Sequence, residues 1–337
     1  MNRTMTVPVD TRPTTRPARA DLGSGLLETE QVACNLCGES RSRVLFRETY
    51  RLGTEAARLH VVRCRRCGLV YVSPRLTFAS TGHVYRHDAA DTISHGYCWQ
   101  GERGGSRFRR LLQRLIRMRG DGRLLDVGCG GGQFLAEARR TGNWDLLGIE
   151  PHAPAARSAR QLADCTVHTG TLQQTPLEPG SFDVVAMLGV LEHLHDPTST
   201  LRRVRELLKP GGVLAVYVPS FDYLRIKDTG WLSRLRTGRH SNLHPQEHLF
   251  HFTPRTLATM LTAAGFEPPD LDVGHPFMHG GPAKRTIKKT AYYAARFLRA
   301  TTGLHLGGLE AVARTTQPPK APELHSGDPT DAIGGRL

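Results

Sequence analysis

The chain has 337 residues, a formal net charge of +14 and a pI near 9.9, enough length to bury one large core and a small second one. No apolar stretch approaches the ~20 residues that span a bilayer, and residues 1–25 lack the apolar centre of a signal peptide, so a cytoplasmic protein is expected. Lysine supplies only six of the 45 basic residues and the charge is dispersed; with no aromatic-interleaved RNA-binding signature, a nucleic-acid partner is not favoured.

Residues 1–30 read as a polar, disordered tail. Cys34-Asn-Leu-Cys37 and Cys64-Arg-Arg-Cys67 follow as two C-x-x-C knuckles with 26 residues between them, each ending in glycine (Gly38, Gly68). Four thiolates at this spacing suit a tetrahedral structural zinc site. Disulfides are the alternative, disfavoured without a secretion signal. Alternating segments at 44–46 and 59–62 predict a small β-ribbon between the knuckles, giving a zinc ribbon over 31–76. A connector, 77–119, holds a predicted helix from Arg107 to Met118, with Phe108, Leu111, Leu112, Leu115 and Ile116 as its apolar stripe.

The most informative stretch is Leu124-Leu125-Asp126-Val127-Gly128-Cys129-Gly130-Gly131-Gly132. An apolar strand enters D-x-G-x-G-x-G, and a helix opens at Gln133. Glycines at alternate positions let the backbone turn sharply and let a ligand lie against bare peptide, facing the N–H groups of the next helix. A second strand ends at Glu150, 24 residues after Asp126, where a carboxylate can accept ribose hydroxyls. An NAD site shares both features, so these residues leave the cofactor open. Phe182 to Leu188 is a further buried strand, running into Gly189-Val190-Leu191-Glu192-His193-Leu194, and Leu207-Leu208-Lys209-Pro210-Gly211-Gly212 turns a helix into another strand.

Strands near 123–127, 146–150, 167–169, 182–188 and 213–218 alternate with helices near 132–141, 153–163 and 198–208, the α/β pattern of a doubly wound parallel sheet. Residues 220–252 show no clean periodicity and carry four histidines; they read as a lid insert over the carboxyl edge. Thr253-Pro254 then opens a helix that stops at Gly265. Lys284 to Leu306 reads as a basic amphipathic helix, packed on the sheet or lying on an anionic membrane. Gly307 to Arg314 is a predicted antiparallel strand, and 316–337 a second disordered tail.

Residues 120–220, with LLDVGCGGG, LLGIE, FDVV, LEHL and LLKPGG in order, resemble class I S-adenosylmethionine-dependent methyltransferases. With the knuckle pair and Cys67-Gly68-Leu69-Val70-Tyr71-Val72-Ser73-Pro74-Arg75 ahead of them, they resemble a bacterial group active in glycan, lipid and natural-product pathways. The resemblance implies a seven-stranded Rossmann-like sheet over 120–315, preceded by the zinc ribbon. It implies a cofactor site of Asp126, Gly128, Cys129, Gly130, Gly132, Glu150, Thr171, Leu172, Leu188 and Gly189. Thr171 stands where the family often has an acid near the adenine. The Cys129 thiol reads as incidental, its backbone as the contact.

Methyl transfer to oxygen or nitrogen needs alignment and, for a poorly acidic acceptor, a base. The candidates are His193, Glu247 and His248, with His195, His244 and His251 behind them. Each has a plainer reading: His193 as a helix brace, His248 as a bond between lid and core. A metal held by His240, His244, His248 and His251 is disfavoured because Pro245 breaks the helix it needs. The expected activity is methyl transfer to a small-molecule, sugar or lipid-linked acceptor. The alternatives are an RNA base methyltransferase that uses the ribbon for RNA, and a non-catalytic partner that keeps the fold.

Overall fold

The computed structural model describes residues 27–84, 105–229, 243–274, 282–303 and 305–316. Most of both predicted tails, Cys98, part of the connector, and His240 with residues 230–242 of the lid insert lie outside the described residues.

Three sheets organise the chain. A two-stranded sheet pairs β1 (Thr29–Glu30) with β5 (Arg75–Leu76), antiparallel. A four-stranded sheet runs in the order β11-β4-β3-β2, from β2 (Ser42–Leu52), β3 (Glu55–Cys64), β4 (Val70–Val72) and β11 (Phe250–His251). The hairpin of β2 and β3 carries the predicted ribbon, with a register shift between Val44 and Phe46. Gly38 and Gly68 take positive φ, closing each knuckle by a backbone bond, Gly38 N to Cys34 O at 2.8 Å and Gly68 N to Cys64 O at 3.2 Å.

The large sheet has seven strands in the order β12-β13-β10-β9-β6-β7-β8. These are β6 (Arg123–Val127), β7 (Asp145–Glu150), β8 (Thr166–Thr169), β9 (Phe182–Leu188), β10 (Leu208–Val218), β12 (Asp270–Gly274) and β13 (Gly308–Arg314). Strands β8, β7, β6, β9 and β10 are mutually parallel, and β13 pairs antiparallel with both β10 and β12. Strand order reverses beside β6, so its carboxyl end opens at the switch point where such sheets take ligands. Central strands are buried on both faces, hence continuous apolar runs such as Val184-Val185-Ala186-Met187.

Helices cover both faces: α1 (Gly105–Arg119), α2 (Gln133–Thr141), α3 (Ala153–Ala163), α4 (Pro197–Leu207), α5 (Phe221–Thr229), α6 (Pro254–Ala263) and α7 (Pro282–Thr302). The stripe of α1 buries Leu111, Leu112 and Leu115 against the α2 side of the sheet, with Phe108 edge-on to Phe134 at 5.5 Å. Helix α6 starts in a capping box, Thr253 and Thr256 each taking the other's backbone N–H, with Pro254 in the first turn.

Two expectations need correction. The insert over 220–252 is not irregular throughout: α5 begins it, and β11 ends it inside the ribbon sheet, with Phe250 opposite Tyr71 and His251 opposite Val70. A two-residue strand has no periodicity to read, and its pairing joins residues about 180 apart in sequence. Strand β12 was not anticipated; with Asp270, Asp272 and Gly274 in five residues its sequence resembles a loop. The reason it forms is position, since it is the edge strand beside β13.

The ribbon is not a separate bead. Cys34, Val62, Cys64, Leu69 and Tyr71 share one apolar core with Leu125, Val127, Met187, Leu249, Phe250 and Phe252.

Candidate functional site

The glycine loop leaves β6 and meets the end of β7, where Gly128 N and Cys129 N both donate to Ile149 O, at 2.8 and 3.0 Å. Gly132 has φ +83°, and a Cβ there would stand 2.6 Å from Ala159 Cα, so only glycine lets α2 start against the alanine face of α3. A Cβ on Gly128 would stand 2.6 Å from Val190 Cγ2, which packs the loop against the turn that carries Glu192 and His193. Gly132 offers no side-chain cap, and α2 points its amino end toward the glycine loop, the end of a helix that favours an anionic or polar ligand.

Glu150 is 7% exposed and its carboxylate braces the loop: Oε2 accepts from Gly130 N at 2.9 Å, and Oε1 from His152 N at 2.8 Å. Burial raises its pKa, and these two N–H groups oppose the rise. Asp126, buried at the end of β6, is raised well above the carboxylate range by burial and then by the neighbouring Glu150 charge. Cys129 is buried and its thiol is pushed far up, chiefly by burial, leaving backbone as its contribution. Thr171 spends its N–H and hydroxyl on Gln174 Oε1, both at 3.1 Å, and the Leu172 side chain belongs to the core. Gly189 N is bonded to Tyr217 O at 2.8 Å, and Leu188 closes β9 beside it. These elements bring the glycine turn, the start of α2 and the Glu150 carboxylate together at the switch point of the sheet.

Beyond Val190 lies a cluster of proton-carrying groups. Ligand atoms of Glu192, His193 and His248 all lie within 4.8 Å of one another. His193 Nδ1 is 3.1 Å from Glu247 O, and its ring is edge-on to His248 at 4.7 Å. His248 in turn meets His244 at 5.8 Å and His251 at 6.5 Å between ring centroids. Among the described residues, Glu192 Oε2, His248 Nδ1 and His251 Nε2 are buried with no hydrogen-bond partner. Burial favours the neutral form of four of these groups: Glu192 is raised to about 8, His193 lowered to about 4, His251 to about 3, and His248 well below the usual histidine range.

The structure brings His193 and His248 together, with Glu247 joined to them through its backbone carbonyl. His195 stands apart: Nε2 is 3.2 Å from Thr81 Oγ1, Nδ1 is 3.6 Å from Glu30, and its carbonyl accepts from Arg75 at 2.8 Å. Burial lowers it to about 4, and its place is the seam between ribbon and sheet. His244 is exposed, the rim of the cluster. Glu192 was passed over in the sequence. The signal was a lone charge inside the otherwise apolar Val190-Leu191-x-x-Leu194, which places a carboxyl in the core. Arg107 was also missed: it is 4% exposed, with its guanidinium 3.7 Å from the centre of the Tyr217 ring.

The four knuckle thiols lie within 4.8 Å of one another, with Cys34 to Cys67 and Cys37 to Cys64 both 3.5 Å between sulfurs. Ligands about 2.3 Å from a tetrahedral zinc stand about 3.8 Å apart, so the donor set fits that ion. All four are free thiols. Asn35, between the first two, ties the knuckle to α4: Nδ2 donates to Asp196 Oδ1 at 2.9 Å, and Oδ1 accepts from Thr198 N at 3.0 Å.

A family profile described as a methyltransferase domain matches residues 101–269. The ubiquinone biosynthesis O-methyltransferase of Cereibacter sphaeroides is 32% identical over 158 residues, covering 44% of this chain and 61% of that protein. The trans-aconitate 2-methyltransferase of Deinococcus radiodurans is 38% identical over 114 residues, 33% of this chain and 43% of that one. The chain thus spans less than two thirds of the length of either relative. Among solved structures, the Burkholderia thailandensis 1,6-didemethyltoxoflavin-N1-methyltransferase with bound 1,6-didemethyltoxoflavin and S-adenosylhomocysteine aligns with a TM-score of 0.49 and 19% identity, covering 80% of this chain and all of that one. With half of its length matched by that profile, on a seven-stranded sheet of this order, the chain belongs to the methyltransferase-domain family of class I S-adenosylmethionine-dependent enzymes.

Proposed function

We propose that the protein transfers a methyl group from S-adenosylmethionine to a small-molecule acceptor, a sugar or lipid-linked compound being the narrower expectation. The observation that carries this reading is the adjacency of two devices across Val190: the glycine cradle with Glu150 at its rim, and the neutral Glu192–His193–His248 cluster. The relatives named as a ubiquinone biosynthesis O-methyltransferase and a trans-aconitate 2-methyltransferase support a small acceptor.

S-adenosylmethionine, when bound, supplies an electrophilic methyl on a sulfonium. The chain's own residues do the rest. Asp126, Gly128, Gly130, Glu150 and the start of α2 hold and orient the cofactor. His193 and His248 are the proposed bases; burial keeps both neutral at pH 7, which leaves each a ring nitrogen lone pair to take a hydrogen bond from the acceptor. An incoming anionic substrate is what would raise their basicity toward the working pH. Glu192, still largely protonated near pH 7, can donate to an acceptor oxygen. Glu247 positions His193 through its carbonyl.

We also propose that Cys34, Cys37, Cys64 and Cys67 hold a structural Zn²⁺, and that the chain divides into a ribbon at 31–76, a connector at 77–119 and a catalytic domain at 120–315. The shared core of ribbon and sheet supports a bracing role for the metal.

The test is calorimetric titration with S-adenosylmethionine, S-adenosylhomocysteine and NAD, followed by radiolabelled methyl transfer to a panel of hydroxylated and carboxylated acceptors. Saturable binding of the first two, and label in at least one small acceptor, is expected. Binding of NAD alone overturns the cofactor reading. Cofactor binding with label entering only RNA overturns the acceptor class.

A further inference from the structure

Helix α7 leans on the edge of the large sheet with one side only. Tyr292 and Ala295 are 6% exposed and form a small core with Val273. Arg296 pairs with Asp272 at 3.0 Å and Arg299 with the same carboxylate at 3.4 Å, so two of its cations are spent on holding the helix to β12. Arg110 of α1 stands 5.2 Å from the Tyr292 ring and closes the seat from the other side.

The opposite side carries Ile287 at 67%, Tyr293 at 52% and Phe297 at 68% exposure. At about 100° per residue, these three fall within roughly one 120° sector. Thr290 and Ala294 lie between them and are exposed as well. Seven large hydrophobic side chains are exposed among the described residues, and no other element carries more than one. An isolated exposed apolar residue needs no explanation; three on one face of one helix do.

Charge names the occupant. Over its 21 residues the helix has six basic residues and no acidic one. Lys284, Arg285, Lys288 and Lys289 gather in the first half, and Lys289 is exposed beside the Tyr293 edge of the apolar sector. An exposed apolar and aromatic sector with a lysine at its edge, on a helix with no acidic residue to repel an anionic surface, is the pattern of a helix that lies in the headgroup layer. A second copy of the chain is a poorer occupant, because a two-fold interface would set one all-basic helix against another. Among the described residues no helix is long and apolar enough to cross a membrane, so the contact is peripheral.

We propose that the outward face of α7, centred on Tyr293 and Phe297, docks the protein on an anionic lipid surface. The face is separate from the cofactor cradle and from the Glu192 cluster, and the proposal does not depend on which acceptor is methylated.

The experiment is co-sedimentation of the full chain with vesicles of phosphatidylcholine alone and of phosphatidylcholine mixed with phosphatidylglycerol, at low and high salt. The variants are I287S/Y293S/F297S and K289E, with S-adenosylmethionine affinity and melting temperature as controls for folding. Binding to the mixed vesicles only is expected, weakened by salt, about fivefold weaker in K289E or more, and at least tenfold weaker in the triple variant. Absence of binding by the wild type overturns the proposal, as does full binding by a folded triple variant. A concentration-dependent dimer in sedimentation equilibrium, abolished by the triple variant, would assign the face to a second copy instead.

Discussion

The side chain of Asn35 donates a 2.9 Å hydrogen bond to Asp196, joining the first cysteine knuckle to the residue that caps helix α4. Asp196 lies three residues after His193, so the knuckle braces one end of the turn that carries the proposed base. The other half of the cluster is braced by the same module. Val72 N donates to Leu249 O at 2.9 Å, beside His248, and β11 is a strand of the ribbon sheet. The ribbon thus grips both segments whose histidines meet.

Removing this link has a measurable consequence. Asn35→Ala takes away an acceptor for Thr198 N and a donor to the cap, a loss of about 1 kcal/mol. A fall of roughly 2–4 °C in melting temperature is expected for a domain of this size. Amide exchange should quicken over 191–199 while the β6–β7 core keeps its protection. Chelation of zinc should quicken exchange over 191–199 and 247–252 together. Exchange confined to 31–76 after chelation would show that the ribbon does not brace the site.

Glu150 separates bracing from cofactor recognition. Glu150→Gln keeps a carbonyl oxygen for one of the two N–H donors, whereas Glu150→Ala leaves both Gly130 N and His152 N without an acceptor. Weakening of S-adenosylmethionine by at least tenfold, about 1.4 kcal/mol, is expected in both, with a clear loss of melting temperature only in the alanine variant. Unchanged affinity in calorimetry would remove Glu150 from the cofactor site.

Gly132→Ala puts a methyl group 2.6 Å from the Ala159 backbone at a positive φ. Left-handed strain and overpacking together cost roughly 2–5 kcal/mol. The variant should unfold at markedly lower denaturant than the wild type, with unchanged slope. Retention of wild-type stability would mean that α2 and α3 separate easily, contrary to their packing.

The buried cluster makes stability depend on pH in two directions. His193 and His251, lowered to about 4 and about 3 by burial, bind fewer protons folded than unfolded, so stability falls as pH drops below about 6.5. Glu192, raised to about 8, keeps its proton longer when folded, so its contribution declines as pH rises from about 4.5 to about 8. In melting curves from pH 5 to 8.5, His251→Asn should flatten the acid arm and Glu192→Gln the alkaline arm. Parallel curves for wild type and variants would contradict the buried neutral state.

Much of the chemistry was readable because it is local. D-x-G-x-G-x-G encodes its own turn, since Gly128 and Gly132 sit where positive φ and close contacts admit no side chain, and Glu150 follows at the tip of the next strand in the same unit. The two knuckles likewise carry their geometry within four residues each. Apolar runs located β6, β7 and β9 to within a residue and the buried part of β10 from Val213, because strands buried on both faces are mostly apolar along their length; the first five residues of β10, with Lys209-Pro210-Gly211-Gly212 among them, carry no such run.

What the chain order could not convey is which distant segments meet. Glu192 and His193 are adjacent in sequence, but His248 joins them only because β11 enters the ribbon sheet, and Asn35 reaches Asp196 only because ribbon and large sheet share one core. The sequence by itself determined the glycine cradle, the four thiols and the order of strand and helix, through local backbone preference and short spacing. The tertiary structure decided that Glu192, His193 and His248 meet and that one apolar face of α7 stays exposed while the other packs on β12, because burial, neutral charge and exposure arise from packing between segments distant in the chain.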